Sequence, residues 1–76
     1  MPQVDPGETL KIPKGTAKIK IHNDSTTKDG YCNVVTGSGS ENFILEPNKS
    51  KDAQLDGGEK SELDNTGKTV LTVTYL

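Results

Sequence analysis

Turn-forming residues interrupt this chain roughly every eight to twelve positions, and no stretch between them carries a helical repeat. Gly, Pro, Asn and Asp gather at Pro13-Lys14-Gly15, across residues 23–30, at Gly37-Ser38-Gly39-Ser40, at Pro47-Asn48, at Asp56-Gly57-Gly58 and at Asp64-Asn65-Thr66-Gly67. Between these breaks the apolar residues alternate at two rather than at three and four. A chain cut this finely has room for short strands but not for capped helices. The spacing predicts an all-β domain, a small antiparallel β-sandwich or small barrel of about seven short strands.

The clearest alternation covers residues 17–22. Ala17, Ile19 and Ile21 fall on one face and Lys18, Lys20 and His22 on the other, as in an antiparallel strand with one wet face. Leu10 and Ile12 precede it in a shorter strand. Residues 31–36 form the next, with either Cys32 and Val34 or Tyr31 and Val35 facing inward. Phe43 and Leu45 point in from a short strand at 43–46. Ala53 and Leu55 continue the alternation after the turn at 47–50, Asp56-Gly57-Gly58 closes a hairpin, and Ser61 and Leu63 mark a weak strand. Residues 69–76 have the highest strand propensity, with Val70, Leu71, Val73 and Tyr75 set among threonines, so the C-terminus is expected to be built into a sheet.

Seventy-six residues suffice for one domain, 1–76, and only 29% of them are hydrophobic. A core that small contributes little net stability, and natural domains of this size usually add a covalent or metal staple. This chain has neither option: Cys32 is its one cysteine and His22 its one histidine, which excludes an internal disulfide and a His-based zinc site. Stabilisation by self-association or by a ligand would therefore matter. No apolar run approaches the ~20 residues of a membrane span, and no signal peptide is visible at the N-terminus. A cytoplasmic or virion-associated setting is favoured, without contact with a membrane.

Several motifs resemble functional sites only in part. Gly67-Lys68-Thr69 matches the end of a phosphate-binding loop, but Glu62 stands where the loop's first Gly belongs and a β-rich run follows instead of a helix. Residues 52–63 echo a calcium loop at Asp52, Asp56 and Gly57, but Leu63 replaces the closing Glu. Asp24, Asp29, Asp56 and Asp64 would be the candidate ligands of a calcium site assembled from several loops. His22 and Cys32 lack the second His of a blue-copper centre, and Cys32 reads as a small core hydrophobe rather than a nucleophile. No catalytic residue, cofactor or metal is assigned. Lys18, Lys20 and Lys11 suggest a basic strip on one sheet face, yet the net charge is −2 and there is no Arg, which argues against nucleic acid. Asn23-Asp24-Ser25 and Asn48-Lys49-Ser50 match the glycosylation pattern and are also ordinary turn sequences.

Two functions remain. The first is a non-enzymatic structural or protein-interaction module, self-associating through sheet edges or meeting a partner chain. The second is a carbohydrate-binding, lectin-like module. Its candidate ligand-binding residues are Asn23, Asp24, Tyr31, Asn33, Asn48 and Asn65: amides and a carboxylate for sugar hydroxyls, and an aromatic platform.

Overall fold

A computed structural model describes residues 2–58 and 60–76. It is all-β, with eight strands in two antiparallel sheets and no helix, arranged as a sandwich. In chain order the strands are β1 (Gln3–Val4), β2 (Thr9–Lys11), β3 (Lys18–Asn23), β4 (Gly30–Thr36), β5 (Gly39–Leu45), β6 (Ser50–Gln54), β7 (Glu62–Asn65) and β8 (Leu71–Tyr75). One sheet, A, runs β1-β8-β3-β6, and the other, B, runs β2-β7-β4-β5. No helix among the described residues is long and apolar enough to cross a membrane, a statement that does not extend to β-barrels.

Alternation located the centre of the core, Ile19, Ile21 and Leu45 among it. Ile19 and Ile21 of β3 and Cys32 and Val34 of β4 are buried in one core together with Leu45, Leu63, Leu71 and Val73. Cys32 and Val34, not Tyr31 and Val35, are the inward pair of β4. Ala17 departs from the expectation: it lies just before β3, which starts at Lys18, and is exposed, although its carbonyl still accepts from Leu55 N at 2.8 Å. The strand expected at 43–46 is longer, since β5 begins at Gly39 and pairs with β4 along its full length. The eighth strand is β1, only two residues long and held by Leu71 and Thr72 of β8.

Connections differ more. Only β4–β5 is a hairpin; every other link crosses between the sheets. The hairpin expected at Asp56-Gly57-Gly58 is instead an inter-sheet link, as is the connection through Gly67-Lys68-Thr69. Turn residues report that the chain reverses, and alternation reports that one face is buried. Neither says which sheet supplies the partner. The C-terminal strand β8 is interior to its sheet, between β1 and β3, and Leu76 N donates to Lys18 O.

Along one long side of the sandwich, β5 and β6 are the facing edges. Their inward rows are not wholly apolar. Glu41 is paired with the buried Val34, and Lys51 with the buried Ile21, so each edge strand turns one charged side chain toward the rim of the core. Inward charges of this kind discourage the addition of a further strand. A cavity of about 210 Å³ opens between the two edges, floored by Val34, Phe43 and Ala53.

Candidate functional site

One end of the sandwich gathers the loops 24–29, 46–49 and 66–70, and two buried asparagines organise it. Asn23 closes β3 and Asn65 closes β7, at 0% and 2% exposure. Each side-chain oxygen accepts from the backbone N–H two residues on: Ser25 N to Asn23 Oδ1 and Gly67 N to Asn65 Oδ1, both 3.1 Å. Each amide nitrogen then reaches across to the opposite sheet. Asn23 Nδ2 donates to Leu45 O at 3.1 Å and Lys28 O at 2.8 Å, and Asn65 Nδ2 to Val4 O at 2.8 Å and Thr69 O at 2.7 Å. Buried polar groups this fully bonded fix the backbone around them.

The six residues suggested for ligand binding are thus divided. Asn23 and Asn65 are buried and their amides are committed to the fold. Asn48 is exposed, at a turn with φ 57° on the β5–β6 link, and its N–H donates to Ser25 O at 2.7 Å, which ties that turn to the loop after Asn23. Asp24 is exposed, but its Oδ2 accepts from Thr72 Oγ1 at 2.6 Å, which turns it toward the outer face of sheet A. Tyr31 and Asn33 remain together on the outer face of sheet B. Tyr31 is 44% exposed and pairs across the strands with Ile44, itself 54% exposed. Asn33 lies in the next row, between Asp64 of β7 and Asn42 of β5.

Tyr31 also borders a groove of about 450 Å³, with Lys28 and Asp29 on one wall and Thr66, Gly67 and Lys68 on the other. Gly67 is there because nothing larger fits. A Cβ at that position would lie 2.8 Å from Tyr31 N and 3.2 Å from Tyr31 Cδ2. The loop is held against the strand by Thr66 N and Gly67 N, which both donate to Tyr31 O at 3.1 Å. A second groove of about 350 Å³ shares Lys28 and Lys68 and extends toward Ser25 and Thr27. Sequence reasoning named Tyr31 but missed the lysines and Gly67. Gly67-Lys68 was visible only as a fragment of a phosphate loop.

The remaining chemistry-bearing groups do not converge. Asp24 and Asp29 are at the asparagine end, Asp56 at the opposite end, and Asp64 on the face of sheet B, where it accepts from Thr9 Oγ1 at 2.6 Å. The calcium-like stretch 52–63 includes residue 59, outside the described residues; its Asp52 is in strand β6 and ion-paired with Lys18 at 3.3 Å. No cluster of three metal-ligating side chains occurs among the described residues. Lys18 and Lys20 share the outer face of sheet A, whereas Lys11 belongs to sheet B, so the three form no single strip.

His22 and Cys32 are also separated, the ring on the outer face of sheet A and the thiol inside against sheet B. Burial pushes the Cys32 thiol up to about 11, with Lys51 acting weakly the other way, so it is a neutral core group. His22 has other neighbours. Its Nδ1 is 2.7 Å from Ser50 Oγ and its Nε2 is 3.9 Å from Asp24 Oδ1. These are the residue types of a hydrolytic triad, aligned by the register of β3 with β6, which the sequence alone does not reveal. The carboxylate is beyond hydrogen-bond distance from the ring and already bonded to Thr72. The line lies on an open sheet face, and none of the three cavities described is lined by His22 or Ser50.

Comparison with protein-family models, with curated proteins and with solved structures finds no match to this chain.

Proposed function

We propose that this domain is a non-catalytic ligand-binding module and that its ligand is a carbohydrate, held at the loop end of sheet B. The observation that carries the reading is Tyr31. A half-exposed aromatic ring at the mouth of a groove offers an apolar platform to the C–H face of a sugar. Hydrogen-bonding side chains surround it: Asp29 and Thr66 in the groove, and Asn33, Asn42 and Asp64 on the adjoining sheet rows. Self-association through sheet edges finds less support. β1 and β2 are two and three residues long, and β5 and β6 carry Glu41 and Lys51 on their inward rows. The test is a glycan array probed with the intact chain, followed by thermal unfolding with each bound glycan. A true ligand raises stability by about 2.7 kcal/mol at a hundredfold excess over Kd. Tyr31→Ala abolishes that shift while retaining a cooperative melt. Absence of any glycan-dependent shift overturns the proposal.

A protein contact is the second reading, favoured by Ile44. An exposed aliphatic side chain beside Tyr31 adds nothing to sugar recognition but suits an apolar interface centre. Its simplest partner is a second copy of this chain, meeting through the outer face of sheet B rather than through an edge. Native mass spectrometry under reducing conditions decides: a dimer that survives dilution and is lost in Ile44→Ser supports this reading, and a monomer removes it.

A further inference from the structure

Two lysines from different loops share one groove, and among the described residues neither is ion-paired. Lys28 and Lys68 line both the Tyr31 groove and its continuation, and neither forms an ion pair or side-chain hydrogen bond among the described residues. The chain as a whole carries −2, so this pairing is not a by-product of a basic surface. The groove beside Tyr31 sets Lys28 and Lys68 against one acid, Asp29, while Asp24 lines only the continuation, its Oδ2 accepting from Thr72 Oγ1. An anion in that groove meets two ammonium groups and a single carboxylate, a net favourable Coulomb balance.

The lysines are also positioned with unusual care for surface residues. Ser25 Oγ accepts from Thr27 N at 3.2 Å and from Lys28 N at 3.0 Å, and Lys28 O accepts from the buried Asn23 amide. On the other loop, Lys68 stands between Gly67, whose N–H donates to Asn65 Oδ1, and Thr69, whose carbonyl accepts from Asn65 Nδ2. Asp24 N donates to Val70 O at 3.1 Å and stitches the two loops together. The buried asparagines therefore fix the backbone beneath both ammonium groups, which lowers the ordering cost of binding.

We infer that the groove takes an anionic sugar, its ring on Tyr31 and its carboxylate or sulfate between Lys28 and Lys68, an inference that rests on the carbohydrate reading above. Isothermal titration of the intact chain with uronate and sulfated disaccharides, each beside its methyl-esterified or desulfated counterpart, tests it. Inorganic sulfate serves as a separate competitor. The expected result is preference for the charged sugars, weakening with added salt. Lys28→Gln/Lys68→Gln should reduce affinity by about tenfold, while Lys20→Gln on the other sheet leaves it unchanged. Equal binding of neutral and charged sugars, or an unaffected double variant, overturns the inference and leaves the carbohydrate reading standing. Competition by inorganic sulfate as strong as by the charged sugar reduces the site to a bare anion site and also overturns it. If no sugar binds, both fall.

Discussion

At one end of the sandwich, Asn23 and Asn65 each accept from the backbone two residues ahead and send an amide across to the opposite sheet. At the other end Asp56 makes the same local turn, accepting from Gly58 N at 2.9 Å, and it too reaches another loop, through Ser38 Oγ at 3.2 Å. The local geometry is shared; the surroundings are not. The asparagine side chains are buried and bond five carbonyls at the core margin, whereas Asp56 is exposed and bonds only groups that water would otherwise serve. A side-chain turn becomes a structural anchor only when the groups it bonds have no alternative partner. The grooves of about 450 and 350 Å³ lie at the anchored end, where loops can hold a shape without being packed into the core.

The largest effect should follow removal of an anchor. Asn65→Ala leaves Val4 O, Thr69 O and Gly67 N without their partner in or near the core, and Asn23→Ala does the same to Leu45 O and Lys28 O. Orphaned buried groups cost about 1–3 kcal/mol each, so a loss of about 3 kcal/mol is expected for either variant. In a domain this small that lowers Tm by roughly 12–24 °C, read by thermal or urea unfolding. A loss under 1 kcal/mol would mean that water replaces the amide, and the two ends would then be alike.

Gly67→Ala should come next. Its new Cβ meets backbone, Tyr31 N at 2.8 Å, so the loop must move rather than a side chain swing away. An overpacking cost of about 1–3 kcal/mol is expected, with loss of the groove beside Tyr31. Amide exchange of residues 66–68 would accelerate, while exchange at the Asp56 loop stays as it was. Uniform acceleration at both ends would show that the groove loop has no separate integrity.

How much of this was legible beforehand depends on what each residue encodes locally. Ile19, Ile21 and Leu45 were identifiable as core because period-two alternation sets them opposite a wet face, though the same rule also turned the exposed Ala17 inward. The sandwich class followed from the spacing of turns. Asn23 and Asn65 were singled out as ligand-binding amides, whereas both side chains are buried and bonded within the fold. An Asn beside Asp-Ser or Thr-Gly has the composition of an exposed turn, and only the crossing of the chain to the other sheet buries it. The pairing of Lys28 with Lys68 joins loops forty residues apart and depends on strand order, which no local pattern carries. His22 with Ser50 is the same case, a product of register.

Cys32 sits one layer beneath the anchored end, paired in register with Asn65. Its thiol is raised by burial from 9.0 to about 11, so the folded state holds its proton more tightly than the unfolded chain does. The associated stability is intact below pH 9 and is lost as pH rises toward about 11. Stability profiles of the protein and of Cys32→Ala over that range should diverge, the variant lacking this part of the alkaline decline. Parallel profiles would place the thiol in contact with water and the layer under Asn65 open.

The smallest effect is expected at Asp56. The hydrogen bond from Gly58 N, and after it the one from Ser38 Oγ, hold its carboxyl below the ordinary value of 3.8. A depressed carboxyl contributes stability that is present above the unfolded value and lost as pH falls through the folded one, so the window lies below pH 4. Asp56→Asn keeps an acceptor for Gly58 and loses only the charge. It should melt slightly below the parent protein at neutral pH, lack the parent's further decline below pH 4, and meet it in acid. Because the group is exposed, screening by solvent keeps even that difference slight. A large neutral-pH loss in Asp56→Asn would mean that the carboxylate anchors its end as the asparagines anchor theirs, and the contrast between the two ends would then be one of charge rather than of burial.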